Sequence, residues 1–181
     1  MEEIREEEIR EEDFANGAEE KLPESAPAYD KEEVKGEIIK VVKDFLSYFG
    51  IKGKIEVKEQ EEGFYVNIRL RAMAGFLIGK GGNTLRAMQY LVMEILRKKY
   101  PHLPPILLDV SGYRMRRVNF LKKKALAIAR VVIETKREMA FDFLTPRELK
   151  IVADALADIK EVKIWTIGTG VKRNVIIAPN L

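Results

Sequence analysis

Five consecutive residues, Ile78-Gly79-Lys80-Gly81-Gly82, carry the clearest chemical signal in this chain. Glycines let a backbone approach a phosphate closely, because no Cβ stands in the way. A helix that starts just after them adds free N–H donors and the positive end of its dipole. Lys80 contributes a full charge that can neutralise one phosphate. Three phosphate-binding arrangements use such parts. A Walker loop ends in Gly-Lys-Ser/Thr, whereas here the lysine is followed by Gly81. A dinucleotide fingerprint follows a strand, and the apolar segment before Gly79 reads as helical. A G-x-x-G clamp between two helices grips single-stranded nucleic acid through its backbone. The plain alternative is a glycine-rich turn with no ligand. The basic body of the chain and the elements around the loop favour the clamp.

A second source of chemistry is cationic. Between Arg114 and Arg137 the chain has nine basic residues and one acid, Glu134. Tyr113 beside Arg114, Arg116 and Arg117 offers a ring among cations for base stacking, or else a core or hinge tyrosine. Arg86 follows the glycine loop, and Lys172 and Arg173 flank the Gly168-Thr169-Gly170 turn. Trp165 sits in a strand pattern and reads as core, and His102, among prolines, as an exposed loop residue.

Enzyme chemistry has little to work with. There is no cysteine, hence no disulfide, thiolate nucleophile or Cys-based zinc site. A multi-histidine metal site cannot be built from one histidine, and a Ser-His-Asp triad would have to use His102. A non-enzyme without metal or cofactor is therefore expected. The 46% apolar fraction is that of a globular chain, and no apolar run approaches a membrane span. The acidic N-terminus does not look like a secretory signal, so a cytoplasmic protein without membrane insertion is expected.

The net charge of +3 conceals two opposite parts. Residues 1–30 hold twelve acidic and three basic side chains, and the remainder holds 29 basic against 17 acidic. A basic body suggests a polyanionic partner, and residues 1–30 read as a disordered acidic arm.

The elements that would position the loop follow from periodicity. Val34, Ile38, Val41, Val42, Phe45 and Phe49 fall at helical spacing. Alternation around Ile55 and Val57, and again from Phe64 to Leu70, predicts a hairpin. After the loop a helix is expected, capped by Asn83 or Thr84, with Leu85, Met88, Val92 and Ile95 on one face. Ile106 to Val110 reads as a buried strand. Gly112 opens a long helix striped by Val118, Leu121, Ala125, Ile128 and Val132. Met139 to Leu144 reads as extended, Thr145-Pro146-Arg147-Glu148 starts a helix with a capping box, and Val162 to Ala178 forms a closing hairpin.

In this order, residues 31–111 resemble a KH domain of the prokaryotic type, αββααβ. Residues 31–181 resemble the Jag family (SpoIIIJ-associated proteins, also called KhpB), in which a KH domain precedes an R-three-H domain. The resemblance rests on Gly75-Phe76-Leu77-Ile78-Gly79-Lys80-Gly81-Gly82-Asn83-Thr84-Leu85, Gln89-Tyr90-Leu91-Val92, Gly112-Tyr113-Arg114-Met115-Arg116-Arg117 and the stretch Gly168 to Ile177. It implies an α+β chain in three parts: the arm 1–30, a KH domain 31–111 and an R-three-H-like domain 112–181. It further implies single-stranded or looped RNA as the partner, and post-transcriptional regulation connected with cell shape or envelope biogenesis. A homodimer, or pairing with a small KH protein, and an indirect link to a membrane insertase follow from the same resemblance. The rival reading is a protein-interaction adaptor for an insertase or cell-wall complex that no longer binds RNA. Two departures stand out. The arginine and histidine that name the R-three-H module are replaced by Leu149 and Ala153. Residues 1–30 are too short and acidic for the small Jag-N domain with which many members begin.

Overall fold

Asp30 begins helix α1 (Lys31–Tyr48) by accepting a hydrogen bond from Glu32 N at 2.8 Å, while Glu32 and Glu33 complement the helix dipole. The computed structural model describes residues 29–168 and 173–180. The expected disorder of the acidic arm therefore concerns residues that lie, but for its last two, outside those described, as does the tip of the terminal hairpin. The chain is α+β and divides into two compact units between Tyr113 and Arg114.

In the first unit, strands β1 (Gly53–Gln60) and β2 (Gly63–Leu70) form the expected hairpin. The chain then crosses over through helices α2 (Ala74–Ile78) and α3 (Asn83–Lys99) and returns as β3 (Ile106–Val110). β3 lies parallel to β2, with Phe64 opposite Ile106 and Ile68 opposite Val110. Gly63 makes the turn possible: a Cβ there would stand 2.0 Å from Pro105 O, the carbonyl that accepts a 2.9 Å hydrogen bond from Phe64 N. One face of the sheet (Phe64, Val66, Ile68, Ile106, Leu108) packs in the same core as Val34, Ile38 and Val42 of α1 and Leu85, Met88 and Val92 of α3.

Two helix faces differ from expectation. The α1 core row continues to Leu46, four residues after Val42, and Phe49 beyond the helix is half exposed. On α3 the row ends at Leu96, and Ile95 is exposed, because a step of four from Val92 keeps the row over the sheet. The two helices are joined at their surfaces by charge. Tyr100 donates to Glu33 at 2.6 Å and Lys99 lies 3.2 Å from it and 3.1 Å from Glu37. The Tyr100 hydroxyl, helped by Lys99, holds the Glu33 carboxyl below its ordinary value.

The second unit contains most of helix α4 (Tyr113–Thr135), strand β4 (Met139–Leu144), helix α5 (Pro146–Leu156) and the pair β5 (Val162–Ile167) and β6 (Arg173–Pro179). The capping box expected from sequence is present: Glu148 N donates to Thr145 Oγ1 at 3.3 Å, and Thr145 N donates to Glu148 Oε2 at 3.1 Å. β6 lies between β4 and β5, antiparallel to both, with an irregularity between Ala140 and Phe143. One sheet face, with Phe141, Leu144, Val175 and Ile177, shares a core with Leu121, Ala125, Ala129 and Val132 of α4 and Val152 and Leu156 of α5. Trp165 is not core. It is 51% exposed, because the alternation of β5 directs Val162 and Ile164 to the packed face and Trp165 away from it.

Candidate nucleic-acid interface

The loop between α2 and α3 is held open by backbone conformations that side chains disfavour. α2 ends when Gly79 N donates to Gly75 O at 2.8 Å, and Gly79 then adopts φ 70°, ψ 179°. That region belongs almost wholly to glycine. A Cβ on Gly79 would also lie 2.1 Å from Thr84 Oγ1, 2.8 Å from Thr84 Cβ and 2.9 Å from Thr84 N. Gly81 and Gly82 are left-handed as well, at φ 59° and 77°. Gly82 is buried, and a Cβ there would meet the Tyr113 ring at 3.1 Å. The chain therefore passes between Thr84 on one side and Tyr113 on the other, with room for hydrogen atoms only.

The start of α3 is tied to the loop through the backbone: Gly82 N donates to Gly79 O at 3.3 Å, and Asn83 N donates to Lys80 O. Its N-cap is Gly82, with no side-chain capping hydrogen bond, and no acidic residue lies in the first turn. The expected caps, Asn83 and Thr84, are instead inside the first turn. A left-handed glycine has taken the capping position, and Asn83 Oδ1 accepts from Arg86. By contrast α1 is capped by Asp30 and α5 by Thr145, each with acid in its first turn. The positive dipole end of α3 is thus offset by no acid in its first turn, and exposed Lys80 precedes it. Ile78, half-buried against the core, offers an apolar surface next to the loop.

The remaining residues singled out by sequence have varied surroundings. Arg86 lies on α3 one turn from the loop and is hydrogen-bonded to Asn83. Tyr113 is half-buried with its ring against Gly82, so it walls the loop; only a tertiary contact reveals this, as does the position of Thr84. In the second unit, Arg114 is partly exposed and Arg116 exposed. Arg117 Nε donates to Glu148 Oε1 at 2.9 Å, the two side chains being 20% and 11% exposed, which gives Arg117 a structural partner. Arg173 is exposed at the start of β6, whereas Lys172 lies outside the described residues. Leu149 and Ala153 are half-buried on α5, and Leu149 packs against the second core. Among the described residues no group of acids and histidine could hold a metal ion, and no helix is long and apolar enough to cross a membrane.

No family model matches the chain. It is similar to curated proteins. Over 124 residues it is 36% identical to the RNA-binding protein KhpB of Clostridium symbiosum, covering 68% of this chain and 55% of that protein. Over 131 residues it is 29% identical to the RNA-binding protein KhpB of Bacillus subtilis (strain 168), covering 71% and 63%. Over 104 residues it is 34% identical to the KhpB of Lactiplantibacillus plantarum, covering 58% and 32%. The matched segments thus span about half the length of these relatives. By these matches to three proteins of one name, the first 36% identical over 68% of this chain, the chain belongs to the KhpB (Jag) family.

Proposed function

We propose that this chain binds single-stranded or looped RNA, with its first unit acting as a KH domain and its second as an R-three-H-like domain. The observation that carries the reading is an α3 start with neither a side-chain cap nor an acid in its first turn, preceded by three positive-φ glycines and exposed Lys80. The names of its relatives support the same partner. The loop backbone at Gly79–Gly82 receives phosphates, Lys80 neutralises one, and Ile78 supports a base. Arg86 adds a charge in the same unit, and in the second unit Arg114, Arg116, Lys172 and Arg173 offer cationic surface of their own. The chain acts without catalysis, in the cytoplasm, as a post-transcriptional regulator connected with cell shape or envelope biogenesis. It works as a homodimer or with a small KH partner, and its link to a membrane insertase is indirect.

The test is a titration of labelled single-stranded RNA at two salt concentrations, with wild type and a Lys80→Asp/Gly81→Asp variant. Each Lys or Arg contact to a phosphate contributes about 0.7 to the slope of log affinity against log salt. Salt-sensitive binding that is lost in the folded variant supports the loop. Equal binding by both proteins moves the site to the second unit, and no binding by either favours the adaptor.

A further inference from the structure

The second unit places its aromatic side chains unusually. Its core is almost entirely aliphatic, with Phe141 its single buried ring. Phe143 is 61% exposed and Trp165 51% exposed, and both belong to the same three-stranded sheet. Register shows where they stand. Val162 and Ile164 of β5 and Val175 and Ile177 of β6 face the core, so Trp165 and Ile167, with half-buried Asn174 and buried Ile176 (7% exposed), occupy the opposite face. Phe143 is the register partner of Asn174, which puts it on that face too. Ile167 is 55% exposed, and Lys163, two residues before Trp165, extends the same row. Trp165 and Ile167 on one edge strand and Phe143 on the other thus flank the central strand, roughly 10 Å apart across the sheet.

The charge of the unit identifies what would cover such a face. Residues 114–181 hold 15 basic and seven acidic side chains, a net of +8. A second copy would bring two such units together and be repelled, whereas a polyanion is attracted. Asp142, the acid nearest Phe143 on β4, is offset by Lys124 at 3.8 Å. Exposed rings on the two edge strands, with a lysine in the same row and an amide side chain between them, suit unpaired bases strung on a phosphate backbone. Resting on the proposed RNA function but separate from the glycine loop, we infer that the outer face of the second sheet is a stacking platform for single-stranded RNA. Trp165 and Phe143 each take a base, and Lys163 contacts the backbone. This surface uses neither Leu149 nor Ala153, so it does not depend on the arginine and histidine that the unit lacks.

The chain contains one tryptophan, so Trp165 emission reports the face directly. The probe is a uridine oligonucleotide titrated into the full chain and into the Lys80→Asp/Gly81→Asp variant. Affinity is read in parallel by anisotropy of the labelled oligonucleotide. Saturable quenching is expected in both proteins, at higher RNA concentration in the loop variant. Trp165→Ala and Phe143→Ala, made in the loop variant and checked by circular dichroism, each weaken binding about 5-fold or more. Trp165→Phe, which keeps a ring, restores most of it. RNA binding by the wild type without any change in Trp165 emission, or unweakened by Trp165→Ala, overturns the platform and leaves the loop standing. Quenching by added protein in the absence of RNA would make the face a self-association surface and also overturn it. Quenching with an unimpaired loop variant keeps the platform and refutes the loop.

Discussion

Replacing Gly79 by alanine tests whether the loop is built as described. The alanine must adopt φ 70°, ψ 179°, at a cost of about 1–3 kcal/mol. Its Cβ must also displace Thr84, whose Oγ1, Cβ and backbone N stand at 2.1, 2.8 and 2.9 Å. The hydroxyl can turn away, but the backbone nitrogen cannot move without shifting the first turn of α3, so the overlap adds about 1–3 kcal/mol. The first unit should therefore lose roughly 2–6 kcal/mol, and RNA affinity should fall about tenfold or more as the N–H groups are re-aimed. Gly81→Ala, left-handed but at ψ 31°, should cost only about 1 kcal/mol. Unfolding is best followed by circular dichroism, because the single tryptophan lies in the other unit. Thr84→Gly removes two of the three obstructing atoms, so the double variant should recover about 1–2 kcal/mol of coupling. A Gly79→Ala protein within 0.5 kcal/mol of wild type (about the additivity error), or no coupling to Thr84, would refute the reasoning.

Other consequences are as direct. Arg117→Ala removes the guanidinium from the nearly buried Glu148 carboxylate, which keeps its Thr145 partners, and should destabilise the second unit by about 1.5–3 kcal/mol in a denaturant titration; a loss below about 1 kcal/mol would mean the pair is not structural. Gly63→Ala drives a Cβ to 2.0 Å from the Pro105 carbonyl and should cost about 2–4 kcal/mol, measured as a fall in the unfolding midpoint. Glu33, Glu56 and Glu59 are held below their ordinary values, chiefly by hydrogen bonds from Tyr100, Lys54 and Lys31 respectively. With folded values below unfolded ones, their contribution is complete above about pH 4.5 and is lost as pH falls through the folded values. Tyr100→Phe should weaken this acid dependence, and an unchanged acid limb of stability against pH would contradict the assignment.

The elements were legible where periodicity and punctuation act locally. Val34, Ile38 and Val42 announce α1, the Thr145–Glu148 box announces α5, and the glycines announce the loop. What escaped depends on contacts distant in sequence. Gly82 caps α3 because its left-handed conformation is fixed against Tyr113, 31 positions away, and Asn83 is drawn to Arg86 instead. Arg117 belongs to a basic run by sequence, yet Glu148, 31 residues on, claims it. Trp165 illustrates a different limit: strand alternation fixes two faces but does not say which is covered, and β5 is an edge strand packed on one side.

Which backbone N–H groups meet RNA decides whether the glycine loop is the binding site. Amide chemical shifts of the full chain, recorded by NMR as a short single-stranded RNA is added, observe this directly. The largest changes should fall on Gly79 to Arg86, with Lys80→Asp/Gly81→Asp abolishing them while the rest of the spectrum stays folded. RNA-induced shifts elsewhere, with Gly79 to Arg86 unmoved at saturation, would contradict the central claim.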